Sequence, residues 1–383
     1  ARTDWLQGYR IHINPNGSRA LQRCLPPAGW QAFLAGVSEE DGDFAFTTEQ
    51  LDDLLRFPAA EISPPGEPEN RHYGVSRIAL REVLLSGLDQ AGPAQIVRLG
   101  SKFTRYEIKD DGRVTAYFTD GDPVTADLLI GADGANSRVR AQLLPQARRI
   151  DTGIVAIAGQ YRLTGSSARP DRSTLPDRLT RDTNLVIPKQ HGSFFTAVWR
   201  PAHQAGGYVL WGYSAAAAAF PAQLDQLPAA DLQQLVLDHT LDWSPALREL
   251  VRGSDPATIN ALRVRSAEPV SAWPTGPVTL LGDAIHNMTP MAGVGANTAL
   301  RDAELLCRKL TEVDAGSVEL RAAVHDYERQ MLDYGFAAVK LSLRNAQQAG
   351  STSRVGRAAT RAMFRSIAAV PPLRRRMAAR LGQ

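Results

Sequence analysis

Hydrophobic residues recur along this chain at two periods, and the switches between them mark its elements. Val278, Leu280 and Leu281 form a short continuous run suited to a strand buried on both faces; Gly282-Asp283 ends it, and a helix is expected from Asn297 through Leu306. Tyr9 to Ile13 alternates, which predicts a strand with Ile11 and Ile13 inward and Arg10 and His12 on the other face. Pro15-Asn16-Gly17 predicts a turn, with Ser18 capping a helix over 19–24. Ser76 reads as the cap of a helix on which Ile78, Leu80, Val83, Leu84 and Leu88 share a stripe. Strand-like runs follow at 95–99, 102–109, 113–119 and 124–131, and again at 153–163, 184–188, 193–200, 207–214 and 261–267. The second group predicts a mostly antiparallel sheet carrying a helix over 231–241. A long helix is expected over 318–348, with more helix over 360–381 broken by Pro371-Pro372. The acidic 39–53 and the Pro- and Glu-rich 62–70 read as a surface excursion with little regular structure.

Composition narrows the class. A chain of 383 residues buries a sizeable core and suggests two domains, or one large domain with an insertion. Two cysteines, Cys24 and Cys307, support neither a disulfide framework nor a thiolate cluster, so no metal is expected and a reducing cytoplasm is the expected compartment. No apolar run approaches the ~18 residues of a membrane span. The net charge of +3 hides an asymmetry: ten Lys or Arg and no Asp or Glu lie between Tyr334 and Gln383. Their helical spacing reads as a solvated helix face, so neither nucleic acid nor membrane is an expected partner.

Two glycine-turn stretches carry the chemistry. In the first, Gly282-Asp283 leaves a carboxylate at the carboxyl edge of a buried strand, where open α/β sheets bind ligands. Pro290, Gly293 and Gly295 then let the backbone pass close to a flat ligand, and the helix that follows points free N–H groups at the same place. The second is the run DLLIGADGANSRVR, where apolar Leu128, Leu129 and Ile130 lead to the turn Asp133-Gly134 and a helix opening at Asn136 to Arg140. The order Gly282-Asp283-Ala284, His286, Pro290, Gly293, Gly295, Asn297, Asp302-Ala303, Leu305 resembles the second FAD fingerprint of the class A flavoprotein monooxygenases, the aromatic hydroxylases of the p-hydroxybenzoate hydroxylase-like fold. Asp133-Gly134 resembles their Asp-Gly fingerprint, and Arg77 with Leu80 and Leu84 resembles a family helix whose leading arginine reaches the FAD.

That resemblance implies an α/β fold: a Rossmann-like FAD-binding domain, incomplete at its amino-terminal end, interleaved with a mostly antiparallel substrate sheet and followed by C-terminal helices. The expected division is 1–150 with 268–317 for FAD, including a substrate-side excursion near 39–72, then 151–267 for substrate and 318–383 for the helices. The family's Gly-x-Gly-x-x-Gly turn occurs nowhere in the sequence, so a βαβ unit of roughly 30 residues is expected ahead of Ala1. By resemblance Asp283 holds the ribityl chain, and Gly282, Pro290 and the amides of Gly293, Val294, Gly295, Ala296 and Asn297 surround the flavin. Asp133 serves FAD and the transient NADPH or NADH, and Arg77, Arg10 and His12 are further cofactor contacts. Phe195, Trp199, Trp211 and Tyr213 are candidates to line the substrate pocket. No residue stands out as catalytic; His12, His191 and Arg200 are the candidates, and His286 is either a proton carrier or satisfied locally. The implied reaction reduces FAD with NAD(P)H, captures O2 as a C4a-hydroperoxide and hydroxylates an aromatic or polyketide-like small molecule. A reductase, dehydrogenase or halogenase of the same fold, or a flavin-free ligand-binding protein, are the alternatives.

Overall fold

The computed structural model describes residues 9–39, 42–86, 88, 96–164, 175–200 and 206–381. At its centre the strand Val278–Leu280, buried throughout, pairs in parallel with Leu129–Gly131. Two helices pack on this pair, Gly295–Asp314 and the 31-residue Leu320–Gly350, and their shared core includes Val278, Leu280, Leu305, Leu306, Tyr327 and Met331. The expected strand at 124–131 is in fact two: Val124–Ala126 stays in a three-stranded sheet with Phe103–Ile108 and Val114–Phe118, and Leu129–Gly131 leaves it for the parallel pair. Residue 95 lies outside the described residues, and 96–99 form no strand.

The strand Arg10–Ile13 pairs antiparallel with Tyr73–Ser76, and its alternation is as expected, Ile13 being fully buried beside Leu21, Phe33, Tyr73 and Val75. The helix after it differs from expectation. It runs Pro15–Cys24, because the Asn14 side chain accepts from the amides of Asn16 and Gly17 (3.1 Å each) and Pro15 suits a first helical position. Ser18, expected as the cap, lies inside the helix and donates to the Arg71 carbonyl at 3.0 Å.

The large sheet has seven strands in the order Asn260–Ala267, Arg149–Arg162, Tyr208–Ala216, Ser193–Trp199, Thr183–Val186, Phe44–Thr47 and Asp53–Phe57. Its strand Phe44–Thr47 comes from the acidic stretch expected to lack regular structure, and Asp53–Phe57 begins at the last residue of that stretch. Arg56 gathers the acids that made this stretch read as a loop, bonding Asp43, Asp53 and Asp182 at 3.0, 3.0 and 2.8 Å. One face of the sheet, with Val155, Ile157, Phe194, Val209, Trp211, Tyr213 and Ala215, is covered by the helices Ala229–His239 and Pro245–Arg252. On the other face Ala156, Ala158, Phe195, Leu210 and Gly212 stay half-exposed.

The C-terminal helices Arg354–Ala369 and Pro371–Leu381 lie against the two added strands, with Phe364 stacked on Phe46 at 4.2 Å. Their arginines answer the acidic stretch, Arg361 bonding Glu49 at 2.8 Å and Arg374 bonding Glu61 at 2.7 Å. No helix among the described residues is long and apolar enough to cross a membrane.

The long helix is tied to the central strand by one buried carboxylate. Glu328 accepts from the hydroxyls of Thr275 (2.6 Å) and Thr279 (2.9 Å) and from the Trp273 indole (3.1 Å). Glu328→Ala strands these buried donors and is expected to cost about 3 kcal/mol, read as a lower urea midpoint at unchanged slope.

Candidate functional site

The site lies where the parallel pair ends. Gly282, at φ 63°, turns the chain so that Asp283 begins the short helix Asp283–His286. Asp283 is exposed and makes no hydrogen bond among the described residues. A Cβ on Gly282 would lie 3.1 Å from that of Ala299, so this carboxylate stands beside the first turns of Gly295–Asp314. That helix starts with no side-chain cap, leaving its leading N–H groups for another partner. Gly293 holds a left-handed conformation (φ 66°), and a side chain there would meet nothing within 4 Å. Pro290 is exposed, and Val294, Gly295 and Ala296 are half-exposed around the same opening.

Two side chains hold this helix start from behind. Asn297, 3% exposed, accepts from the Asn14 amide and donates to the His12 carbonyl, both at 2.9 Å. Its side chain therefore ties the strand Arg10–Ile13 to the helix. The fit is close: a Cβ on Gly17 would sit 2.2 Å from the Asn297 amide oxygen. One turn on, fully buried Asp302 accepts from the Gly282 amide (2.8 Å), His286 Nε2 (2.6 Å) and the Tyr334 hydroxyl (2.6 Å).

Arg10 and His12 sit together at one border of the opening. Burial lowers the Arg10 pKa to about 10, with the Tyr208 hydroxyl beside it acting the other way. Burial, Arg10 and His72 together hold His12 well below the ordinary imidazole range, and its Nε2 meets His72 Nδ1 at 3.1 Å. These effects favour a neutral His12 imidazole. Arg77 begins the helix Arg77–Ser86 directly after the partner strand, and its side chain is exposed.

Asp133 is exposed and accepts from the amides of Arg138 (2.7 Å) and Val139 (3.3 Å), so one of its oxygens caps the helix Arg138–Leu143. Two arginines absent from the sequence expectations stitch this turn to the first one. Arg140 donates to the carbonyls of Ala284 (2.7 Å) and Ala135 (2.9 Å), and Arg149 donates to Asn287 (2.9 Å) and Asn136 (2.9 Å). Arg140 stood within the quoted Asp-Gly stretch, whereas Arg149, Tyr208 and Tyr334 carry no local signal; only tertiary packing brings them here.

The aromatic candidates separate by strand parity. Trp211 and Tyr213 are fully buried on the helix-covered face, where Trp211 donates to Ser254 (2.6 Å) and the Tyr213 hydroxyl meets His239 (3.1 Å). They are core, not pocket. Phe195 and Trp199 lie on the opposite face, Phe195 opposite Gly212, and Trp199 opposite Tyr208 with ring centres 5.3 Å apart. At the sheet's edge, Ile154 and Val264 pack with Ala346 of the long helix, and Met291 joins this contact, which brings the loop before Gly293 to this face. Arg200 is turned away and donates to the Thr180 carbonyl (3.3 Å). His191 is exposed and lines a different hollow of about 360 Å³ with Gly192, Ala216, Gly350 and Arg354. Neither Arg200 nor His191 joins the opening at Asp283.

The FAD binding domain family matches residues 67–342. The dual O-methyltransferase/FAD-dependent monooxygenase of Phaeosphaeria nodorum is 28% identical over 354 residues, covering 82% of this chain and 37% of that protein. The FAD-dependent urate hydroxylase of Klebsiella pneumoniae is 32% identical over 270 residues, covering 69% of this chain and 62% of that protein. This chain thus spans little more than a third of the dual-function relatives it matches. A crystal structure from Photorhabdus luminescens subsp. laumondii, named as a candidate FAD-containing monooxygenase, is 36% identical with a TM-score of 0.78 over 89% of this chain and 88% of that one. The structure of Klebsiella pneumoniae HpxO with FAD and uric acid, at 23% identity and TM-score 0.75, covers 95% of this chain and 85% of that one and shows the shared fold.

Asn297→Ala removes both long-range hydrogen bonds of the side chain, from the Asn14 amide and to the His12 carbonyl. A loss of about 2 kcal/mol in unfolding free energy is expected. Hydrogen exchange should rise in residues 10–14 while the Glu328 region keeps its protection.

Proposed function

This chain belongs to the FAD binding domain family of flavoprotein monooxygenases, and from that membership we propose that it is an FAD-dependent monooxygenase that uses NAD(P)H and O2 to hydroxylate an aromatic or polyketide-like small molecule. The residues fit the cofactor. A ribityl chain offers hydroxyl donors, and the exposed Asp283 carboxylate, whose charge acts on Arg149, makes no side-chain hydrogen bond among the described residues. A flavin ring has an electron-rich edge, and the uncapped start of Gly295–Asp314 offers amides and a positive dipole end across open space at Gly293. Bound there, FAD supplies hydride acceptance from the nicotinamide and activation of O2 for transfer of one oxygen atom.

The protein's own part is placement and shielding. Asp283, Gly282, Pro290 and the amides from Gly293 to Asn297 hold and orient the ring system. Arg10, His12 and Arg77, on and just after paired strands, are the proposed contacts at its border. Asp133 has its second oxygen left for FAD or the nicotinamide nucleotide. The observation that carries the reading is an apolar sheet face near this opening: Ala156, which packs with Met291 and Ala346 of the long helix, and Ala158, Phe195, Leu210 and Gly212 are all half-exposed. Such a face excludes water from a reduced flavin and takes the flat side of an aromatic ring. Phe195 and Trp199 remain the pocket residues on this reading, and Ala158, Leu210 and Gly212 replace Trp211 and Tyr213.

The test is a spectrum of the full-length protein, followed by anaerobic reduction with NADPH or NADH in the presence of phenolic compounds. Bound flavin, reduction accelerated by one compound, and ¹⁸O from labelled O2 in its product are expected. Reduction without oxygen incorporation would make it a reductase, and no flavin even with added FAD would sink the proposal. Asp283→Ala should weaken FAD binding by about tenfold or more. Gly212→Phe should leave FAD bound and abolish the substrate-induced change in the flavin spectrum.

A further inference from the structure

Directly beneath the Gly282-Asp283 turn lies a buried acid–base pair to which the proposed chemistry gives no task. His286 and Asp302 are both fully buried, with His286 Nε2 2.6 Å from Asp302 Oδ2. A carboxylate only accepts, so Nε2 carries the hydrogen. The same Oδ2 accepts from the Gly282 amide at 2.8 Å, and so a single oxygen joins the imidazole to the backbone that aims Asp283.

The ring has no freedom to leave. Gly335 of the long helix presses on it: a Cβ there would lie 2.7 Å from His286 Cδ2. The second Asp302 oxygen is held by Tyr334 at 2.6 Å, and the Arg301 guanidinium covers the Tyr334 ring at 3.8 Å. Tyr327 turns its hydroxyl to the Leu280 carbonyl (2.9 Å), so it does not compete for the pair. On the far side of the turn stand Asp283 itself and the cations Arg140 and Arg149, bonded to Ala284 and Asn287.

We propose that His286, paired with Asp302, is a positioning residue whose protonation governs how tightly the Gly282-Asp283 turn binds FAD. With His286 charged, the pair is neutral. With His286 neutral, an uncompensated carboxylate sits behind the turn that must receive a cofactor carrying two phosphates, and both the charge and the pull on the Gly282 amide change.

Two opposed effects act on this proton. Burial disfavours the charged imidazole, but the hydrogen bond and charge of Asp302 outweigh it and lift the pKa above the ordinary histidine value. Among the described residues no other residue bonds the buried His286 Nδ1. The sign follows. A raised folded-state pKa gives stability that is complete below the unfolded value near 6.5 and is lost as pH rises through the folded value. FAD binding follows the same direction, tight on the acid side and weaker on the alkaline side.

The inference rests on FAD binding but not on hydroxylation, and its test needs no turnover. Apo-protein of full length is titrated with FAD by flavin fluorescence between pH 6.5 and 9, with thermal midpoints taken in parallel. The wild-type Kd is expected to rise about fivefold or more across this range. His286→Gln, which can still donate to Asp302 but does not titrate, should bind FAD with a Kd that no longer changes with pH. Tyr334→Phe, which removes a hydrogen bond from the same carboxylate without removing the proton, should lose thermal stability yet keep the pH slope. A flat wild-type profile, or a slope that survives in His286→Gln, would overturn the proposal. A normal slope in a protein that fails to hydroxylate any compound would leave it standing and count against the activity alone.

Discussion

A helix that begins without a cap must be held from behind. The start of Gly295–Asp314 leaves amides directed at open space, and nothing in that first turn satisfies them from within the chain. The rest of the structure supplies the restraint. Asn297 fastens the helix to the Arg10–Ile13 strand, Asp302 fastens it to the turn that carries Asp283, and the long helix backs that turn through Tyr334 on Asp302 and Gly335 on His286. Asn297 and Asp302 are buried and hydrogen-bonded, so the opening can stay polar and unfilled while its back wall is rigid.

The large sheet solves the complementary problem of offering an apolar surface without exposing a core. Its strands give alternate residues to two faces. Val155, Val209, Trp211 and Tyr213 are sealed under two helices, and their immediate neighbours Ala156, Leu210 and Gly212 stand on the face toward the Gly293 loop. Small residues at 158 and 212 keep that face recessed. The strands 44–57 extend the sheet, and the basic C-terminal helices cover the extension through Arg361–Glu49, Arg374–Glu61 and the Phe364–Phe46 stack. Two of the chain's C-terminal arginines are thus met by acids within it.

Much of the site was legible because its chemistry is local. A Gly-Asp turn, a left-handed glycine and the start of a helix lie within fifteen residues of one another, so Asp283, Gly293 and Gly295 could be named from spacing alone, and the structure brings them to one opening. The same locality misled at two points. Pro15-Asn16-Gly17 read as a turn because cap and proline compete with turn chemistry over so short a span, and Asn14 decided for the helix. The acidic stretch read as a loop because the sequence does not show that Arg56 neutralises it.

By itself the sequence determined most of the strands and helices and the two glycine turns, since each depends on residues a few positions apart whose periodicity and backbone preferences act locally, and its motifs resembled those of the family. Tertiary structure decided which face of a strand is pocket and which is core. Phe195 and Trp211 have the same composition logic, and only the cover of helices over one face separates them. It also decided the partners of His286, Arg149 and Tyr334, because contacts across tens to hundreds of residues are set by packing, where burial turns a hydrogen bond from optional into obligatory.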